Sequence, residues 1–274
     1  MRLLQGGLRL GQIGGIGVHL DRSLIIIFVL ISFSLGAGVF PGWHPYWPPA
    51  LIWGLAIAST LAFFASVFLH ELAHALVGRA AGIDIHRITL FMFGGVAHME
   101  NEPPSRKAEF AMAIAGPIAS QVRGVLFLAA ADWITGPVLI EPRHPRLLFL
   151  QLGPAATLLA WLGRVNLVLA AFDRLPGFPL DGGRVLRAML WGLSGNLLAA
   201  TCYASGAGQF LGAMLAAGGV LMKLGLRMPV FGEGITNGLW LVLIGALLAH
   251  AARESYRRLA EGDAIESAKI APSS

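Results

Sequence analysis

Ala65-Ser66-Val67-Phe68-Leu69-His70-Glu71-Leu72-Ala73-His74 places three costly polar side chains near the end of an otherwise apolar helical pattern. Positions four apart share one helix face, so His70 and His74 can turn an imidazole nitrogen toward a single ion. Glu71 lies one step around. There it is badly placed to be a third ligand but well placed to hold a metal-bound water, the arrangement that H-E-x-x-H provides in zinc hydrolases. Residues 50–69 carry no charge and are long enough to cross a bilayer, and the pattern runs on to Gly78. At about 1.5 Å per residue, His70 sits roughly 12 Å from that end, which sinks the motif below the membrane surface.

Composition agrees with this reading. Mean hydropathy is +0.70, and 13% of the 274 residues are charged, where soluble domains carry about 25%. The chain is therefore expected to be a polytopic α-helical membrane protein. Its formal charge of +5 invites a nucleic-acid reading, yet no basic run or aromatic-interleaved basic stripe exists, so no nucleic-acid partner is expected. Cys202 is the single cysteine, which excludes an intrachain disulfide framework or a thiolate cluster. Met1 to Ser23 contains Arg2, Arg9, Asp21 and Arg22 but no continuous apolar core, so no cleavable signal is expected.

Outward from the motif, residues 8–20 alternate weakly around glycines, as a short hairpin at the membrane surface would, although a disordered arm gives the same pattern. Residues 24–40 form span one, ending at Pro41-Gly42-Trp43. Residues 83–100 alternate at period two and bend at Gly94-Gly95, predicting two short strands whose edge must face protein, water or a guest strand. Span three covers about 108–131 and carries Glu109, Gln121 and Arg123. A guanidinium in mid-span needs a partner, and Asp132, nine residues on, faces the other way. Span four is placed at 147–172, a short amphipathic helix with Arg184 and Arg187 on its polar face at 183–191, span five at 197–222, and span six at 235–252 before a polar tail. The fold expected is about six transmembrane helices with a small membrane-associated β-sheet.

With both ends on one side, fourteen of the twenty Lys and Arg residues fall there, while Arg143, Arg146, Lys223 and Arg227 fall opposite and Arg123 and Arg164 lie in spans. This bias puts both termini in the cytosol. The same side then holds the motif and Asp181.

Catalytic zinc takes three protein ligands and leaves one position open. Asp181 is the first choice for the third: prolines free its backbone, and Gly182-Gly183 allow close approach. Asp173, Glu109 and His98 compete with it. The metzincin extension needs glycine and histidine where this chain has Val77 and Ala80, so that class is excluded.

Taken together, His70-Glu71-Leu72-Ala73-His74, Phe93-Gly94-Gly95-Val96-Ala97, Ala115-Gly116-Pro117 and Leu175-Pro176-Gly177-Phe178-Pro179-Leu180-Asp181-Gly182-Gly183-Arg184 resemble the site-2 protease family of intramembrane metalloproteases, over about residues 8–258. The resemblance implies one zinc ion on His70, His74 and Asp181, with Glu71 as general base and acid. Gly94, Gly95, Gly116, Pro117 and Asp173 would lie near the substrate, a transmembrane protein such as a membrane-tethered anti-sigma factor already trimmed by another protease. It further implies a metalloprotease domain at 1–258 with a catalytic core at about 50–195, a polar tail at 259–274, and a place in the cell's inner (plasma) membrane among its lipids. Residues 251–257 are similar to the sequence that, in one subfamily, leads into paired cystathionine-β-synthase-type domains, none of which is expected in these residues. The family usually has asparagine where this chain has Asp173, and a carboxylate beside developing oxyanion charge is unfavourable unless protonated. Two other readings of the residues are a zinc transporter or sensor, and an inactive relative that holds transmembrane clients. Substrate identity and oligomeric state are not encoded legibly.

Overall fold

The computed structural model describes residues 7–92, 94–99, 102–137, 147–225 and 235–270. It divides into two compact units, Met1–Pro103 with Ala115–Ala171, and Pro104–Ile114 with Phe172–Ser274.

In the first unit, β1 (Leu8–Ile13) and β2 (Ile16–Leu20) form the expected hairpin. Its turn, Gly14-Gly15, has positive φ at both residues, the geometry of a type I′ turn and one that glycine adopts without strain. β2 pairs in parallel with β3 (Ile85–Phe91), which returns antiparallel as β4 (Gly94–Met99), giving the order β1-β2-β3-β4. Two tethers reinforce the sheet: Asp21 N–H donates to Leu90 C=O at 2.8 Å, and Met92 N–H to Ser23 Oγ at 3.1 Å.

Span one runs on through Pro41 and ends at Trp43, within the Pro41-Gly42-Trp43 stretch expected to close it. α1 (Leu24–Ser34) passes through a π-helical turn, Leu35–Val39, into α2 (Phe40–Trp43). The wider turn absorbs the donor that Pro41 lacks, so the helix continues. Gly36 inside that turn has no room for a side chain, because a Cβ there would lie 2.6 Å from the Trp53 ring. α3 (Pro49–Ala80) runs unbroken through the motif, and α4 (Arg106–Thr135) follows β4. The expected span four is broken: α5 (Leu147–Leu150) ends before Gly153, and α6 (Pro154–Asp173) starts at a proline, which is favourable at a helix's first position and blocks continuation from behind. α4 and α6 meet through Gly124 and Gly163, where a Cβ on either would lie 3.0 Å from the other's carbonyl oxygen. Small residues let backbones approach this closely in an apolar medium.

The second unit contains the start of α4, α7 (Asp181–Ser194), α8 (Leu197–Lys223) and α9 (Ile235–Ile270). α8 and α9 pack through Gly212 and Gly245. Residues 235–252, read as span six, are helical, but the polar tail read after them continues the same helix to Ile270. Ala252 is buried with Phe178 and Ala204, and Arg257 bonds Glu261 one turn on, which extends the helix into the charged stretch. Five helices among the described residues are long and apolar enough to cross a membrane: Leu24–Trp43, Pro49–Ala80, Arg106–Thr135, Pro154–Asp173 and Leu197–Met222. With the four-stranded sheet they make the expected membrane architecture.

His98 lies in β4 with Nε2 3.0 Å from Thr89 Oγ1 across the sheet. Burial pushes its imidazole below the ordinary range, and the charges of Arg87 and His19 act in the same direction. A depressed histidine stabilises the fold fully above its unfolded pKa and loses that contribution as pH falls through the folded value, because the fold must then accept the proton. The temperature of thermal unfolding should therefore fall as pH drops below about 6.5, and His98→Gln should flatten that dependence. An unchanged slope in the variant would assign the acid sensitivity to other groups.

Candidate metal centre

The site begins with two helices whose spacings match. α3 presents Ser66, His70 and His74, and α4 presents Gly116, Ser120 and Arg123, each set three or four residues apart and so on one face. The helices run antiparallel there: Arg123 meets Ser66, Ser120 meets His70, and Gly116 meets both imidazoles.

His70 and His74 are buried, with their Nε2 atoms 3.1 Å apart. His70 Nδ1 lies 2.9 Å from Ser120 Oγ, leaving Nε2 as its outward ligand atom. Gly116 is required because a Cβ would press on His74 Nε2 and lie 2.6 Å from His70 Nε2. Pro117, next to it, is fully buried and lacks the N–H that would otherwise bond one turn back. A pair of imidazole nitrogens aimed at one point, with a backbone held clear by a missing side chain, suits a borderline-soft ion such as zinc.

Glu71 points toward β4. A Cβ on Gly95 would come within 2.8 Å of Glu71 Cδ, so the strand backbone lies against the carboxylate because Gly95 carries nothing between them. Gly94, at φ +125°, holds a conformation that only glycine adopts readily. The glycine pair thus opens β4 and clears space around the motif's acid.

In the second unit, Asp181 is not a free loop residue as the sequence suggested. It is the first residue of α7, after an extended Leu180, where an acid also complements the helix dipole. Gly182 and Gly183 in that first turn are buried, and their missing side chains let the backbone of residues 174–178 fold back over the helix start. Gly177 in turn approaches Gly208 of α8, its absent Cβ only 2.6 Å from Gly208 Cα. Asp173, half-buried, is the last residue of α6.

Two competitors are otherwise engaged. His98 is held by Thr89, and Glu109 is bound by Arg187, whose Nε donates to Glu109 Oε1 at 2.5 Å. The sequence does not reveal this pair: its periodicity places Arg187 on a polar helix face, whereas the residue is 5% exposed and stacks 5.1 Å from the centre of the Phe178 ring. The available signal was Glu109, a carboxylate in an apolar span that calls for a cation on another helix.

The model of peptidase family M50 matches residues 58–144 and 130–216, more than half of the chain. The chain belongs to peptidase family M50. This M50 chain is 35% identical to Rip3 of Mycobacterium tuberculosis over 98% of its own length, and 35% identical to sll0528 of Synechocystis over 93%. Both relatives carry zinc metalloprotease in their names, and the chain spans 63% and 61% of their respective lengths. The site-2 protease structure from Methanocaldococcus jannaschii superposes with a TM-score of 0.58 at 27% identity, covering 92% of the M50 chain and 95% of the other. The resemblance read from the motifs is thereby borne out at the level of family and fold.

Proposed function

We propose that this chain is an intramembrane zinc metalloprotease that hydrolyses a peptide bond within or beside the transmembrane segment of a membrane-protein substrate. The observation that carries the reading is the buried His70–His74 pair, with both Nε2 atoms directed to one point and Glu71 set against the backbone of β4. Zinc would be held by His70, His74 and Asp181. When bound it polarises a carbonyl and lowers the pKa of a coordinated water toward neutrality. Glu71 takes the proton from the attacking water and returns it to the leaving amine, so that one carboxylate serves both halves of the reaction.

A helical substrate hides its carbonyls, so the scissile segment must unwind. β4 ends the strand order, and its glycine pair removes side-chain bulk beside Glu71, which supports strand addition as the way an extended segment is received. Gly116, Pro117 and Asp173 would lie near the substrate. The catalytic domain is residues 1–258 with its core at 50–195. Both termini lie in the cytosol by the distribution of Lys and Arg.

The test is zinc content measured together with cleavage of a model transmembrane substrate in detergent or lipid discs. About one zinc per chain is expected, with cleavage lost on chelation and restored by zinc. Asp173→Asn should cleave at least as fast as the native chain. Zinc uptake without cleavage in either form supports a transporter, a sensor or a client-holding relative instead.

A further inference from the structure

We infer that Arg123 is a positioning residue for the metal centre: acting through Ser120, it holds the His70 ring in the orientation that ligates through Nε2. The inference rests on the zinc reading above and adds a residue that the zinc-site motifs do not include.

Arg123 lies within a span, where an ionised side chain is costly and needs a reason. Its hydrogen bonds go to a carbonyl and a hydroxyl rather than to a carboxylate. Nη2 donates to Ser66 C=O at 3.1 Å and to Ser120 Oγ at 3.0 Å, and no carboxylate pairs with it among the described residues. A guanidinium has donors only, so the direction of the second bond is fixed: Ser120 accepts. The same Oγ is 2.9 Å from His70 Nδ1.

A serine hydroxyl can address an imidazole nitrogen in two ways. As a donor it places a proton on the Oγ side, which leaves Nδ1 bare and Nε2 protonated, unable to bind metal. As an acceptor it receives the hydrogen bond of Nδ1–H, which leaves the Nε2 lone pair for an ion. A His70 that ligates through Nε2 carries its proton on Nδ1, and Ser120 has a second lone pair to accept that N–H while the first accepts from Arg123; the guanidinium supplies a fixed position for Oγ beside that nitrogen. Ser66 C=O fixes the guanidinium in place, and α3 supplies both that carbonyl and His70, so the relay is anchored on the helix it controls. Gly116, on the same face of α4, leaves the imidazoles room to settle in that orientation.

Zinc affinity of the full-length chain, measured by competition with a chromogenic chelator, tests this apart from proteolysis. Arg123→Leu and Ser120→Ala should each weaken zinc about 10-fold or more, the size usual for a lost ligand-orienting partner. The double variant should be no weaker than Ser120→Ala, since the arginine acts through the serine. Arg123→Lys and Ser120→Thr, which keep a donor and a hydroxyl, should recover most of the loss. In the cobalt-loaded chain, the visible absorption bands should shift in Arg123→Leu and return in Arg123→Lys, a change that a purely structural role does not produce. Unchanged zinc affinity in Arg123→Leu, or losses that add in the double variant, overturns the inference. Should Arg123→Leu fail to accumulate, Ser120→Ala alters no charge in the span and decides alone: native affinity there overturns it equally. A native chain that takes up no zinc overturns both this inference and the metalloprotease reading, whereas a native chain that binds zinc beside unaffected variants overturns this one alone.

Discussion

Glu71→Gln is expected to lower cleavage about 10²–10⁴-fold, the range for loss of a general acid–base group, while zinc stays bound. The amide has nearly the same shape as the carboxylate, so it fits against Gly95 without moving β4. It cannot accept a proton from water at neutral pH, and it has none to return to the amine. His70 and His74, with Ser120 behind them, are left as they were. Turnover of a transmembrane substrate and zinc content, measured on the same preparation, check both halves. Cleavage at the native rate with zinc retained would remove Glu71 from the mechanism, while loss of both together would mean that the variant had damaged the site itself.

The second large effect concerns stability. Arg187 and Glu109 are buried together, joining the first turn of α4 to α7. Removing one partner strands a charge in an apolar interior, which costs about 3–5 kcal/mol, whereas replacing both by apolar groups of similar size is often neutral. Arg187→Met should therefore unfold at markedly lower temperature or denaturant than the native chain, and Glu109→Leu with Arg187→Met should recover much of the difference. The pair also stands close to the proposed third ligand: Asp181 begins the helix that Arg187 anchors, and Phe178, under the guanidinium, belongs to the loop leading into it. Zinc affinity should fall in the single variant for that reason. A single variant as stable as the native protein would show that the pair is not what holds this region.

Much of this architecture is legible in the residues because its signals are local. Uncharged runs of membrane-spanning length mark helices, a period of two around glycines marks strands, and imidazoles four apart mark a shared face. The motif, the sheet and the spans follow from those rules. What escapes them is pairing between helices far apart in sequence. Arg187 has the periodicity of a solvated face, and nothing nearby says that Glu109 waits 78 residues upstream. Arg123 gives a local warning, but its answer is a hydroxyl on its own helix and a carbonyl on α3. The break in the fourth span escapes for a different reason: Pro41 and Pro154 carry the same local signal, yet one is absorbed by a π-helical turn and the other starts a new helix after Gly153.

The parallel pairing of β2 with β3 bears on how the chain enters its bilayer. Two helices of spanning length, Leu24–Trp43 and Pro49–Ala80, lie between those strands. A polypeptide that crosses twice returns to the leaflet it left, so the two strands can meet only when both crossings succeed or both fail. If a single crossing fails, the strands end up on opposite faces with no ladder between them. Pairing of residues 17–20 with 87–90 is therefore compatible only with an even number of crossings by the two helices between them.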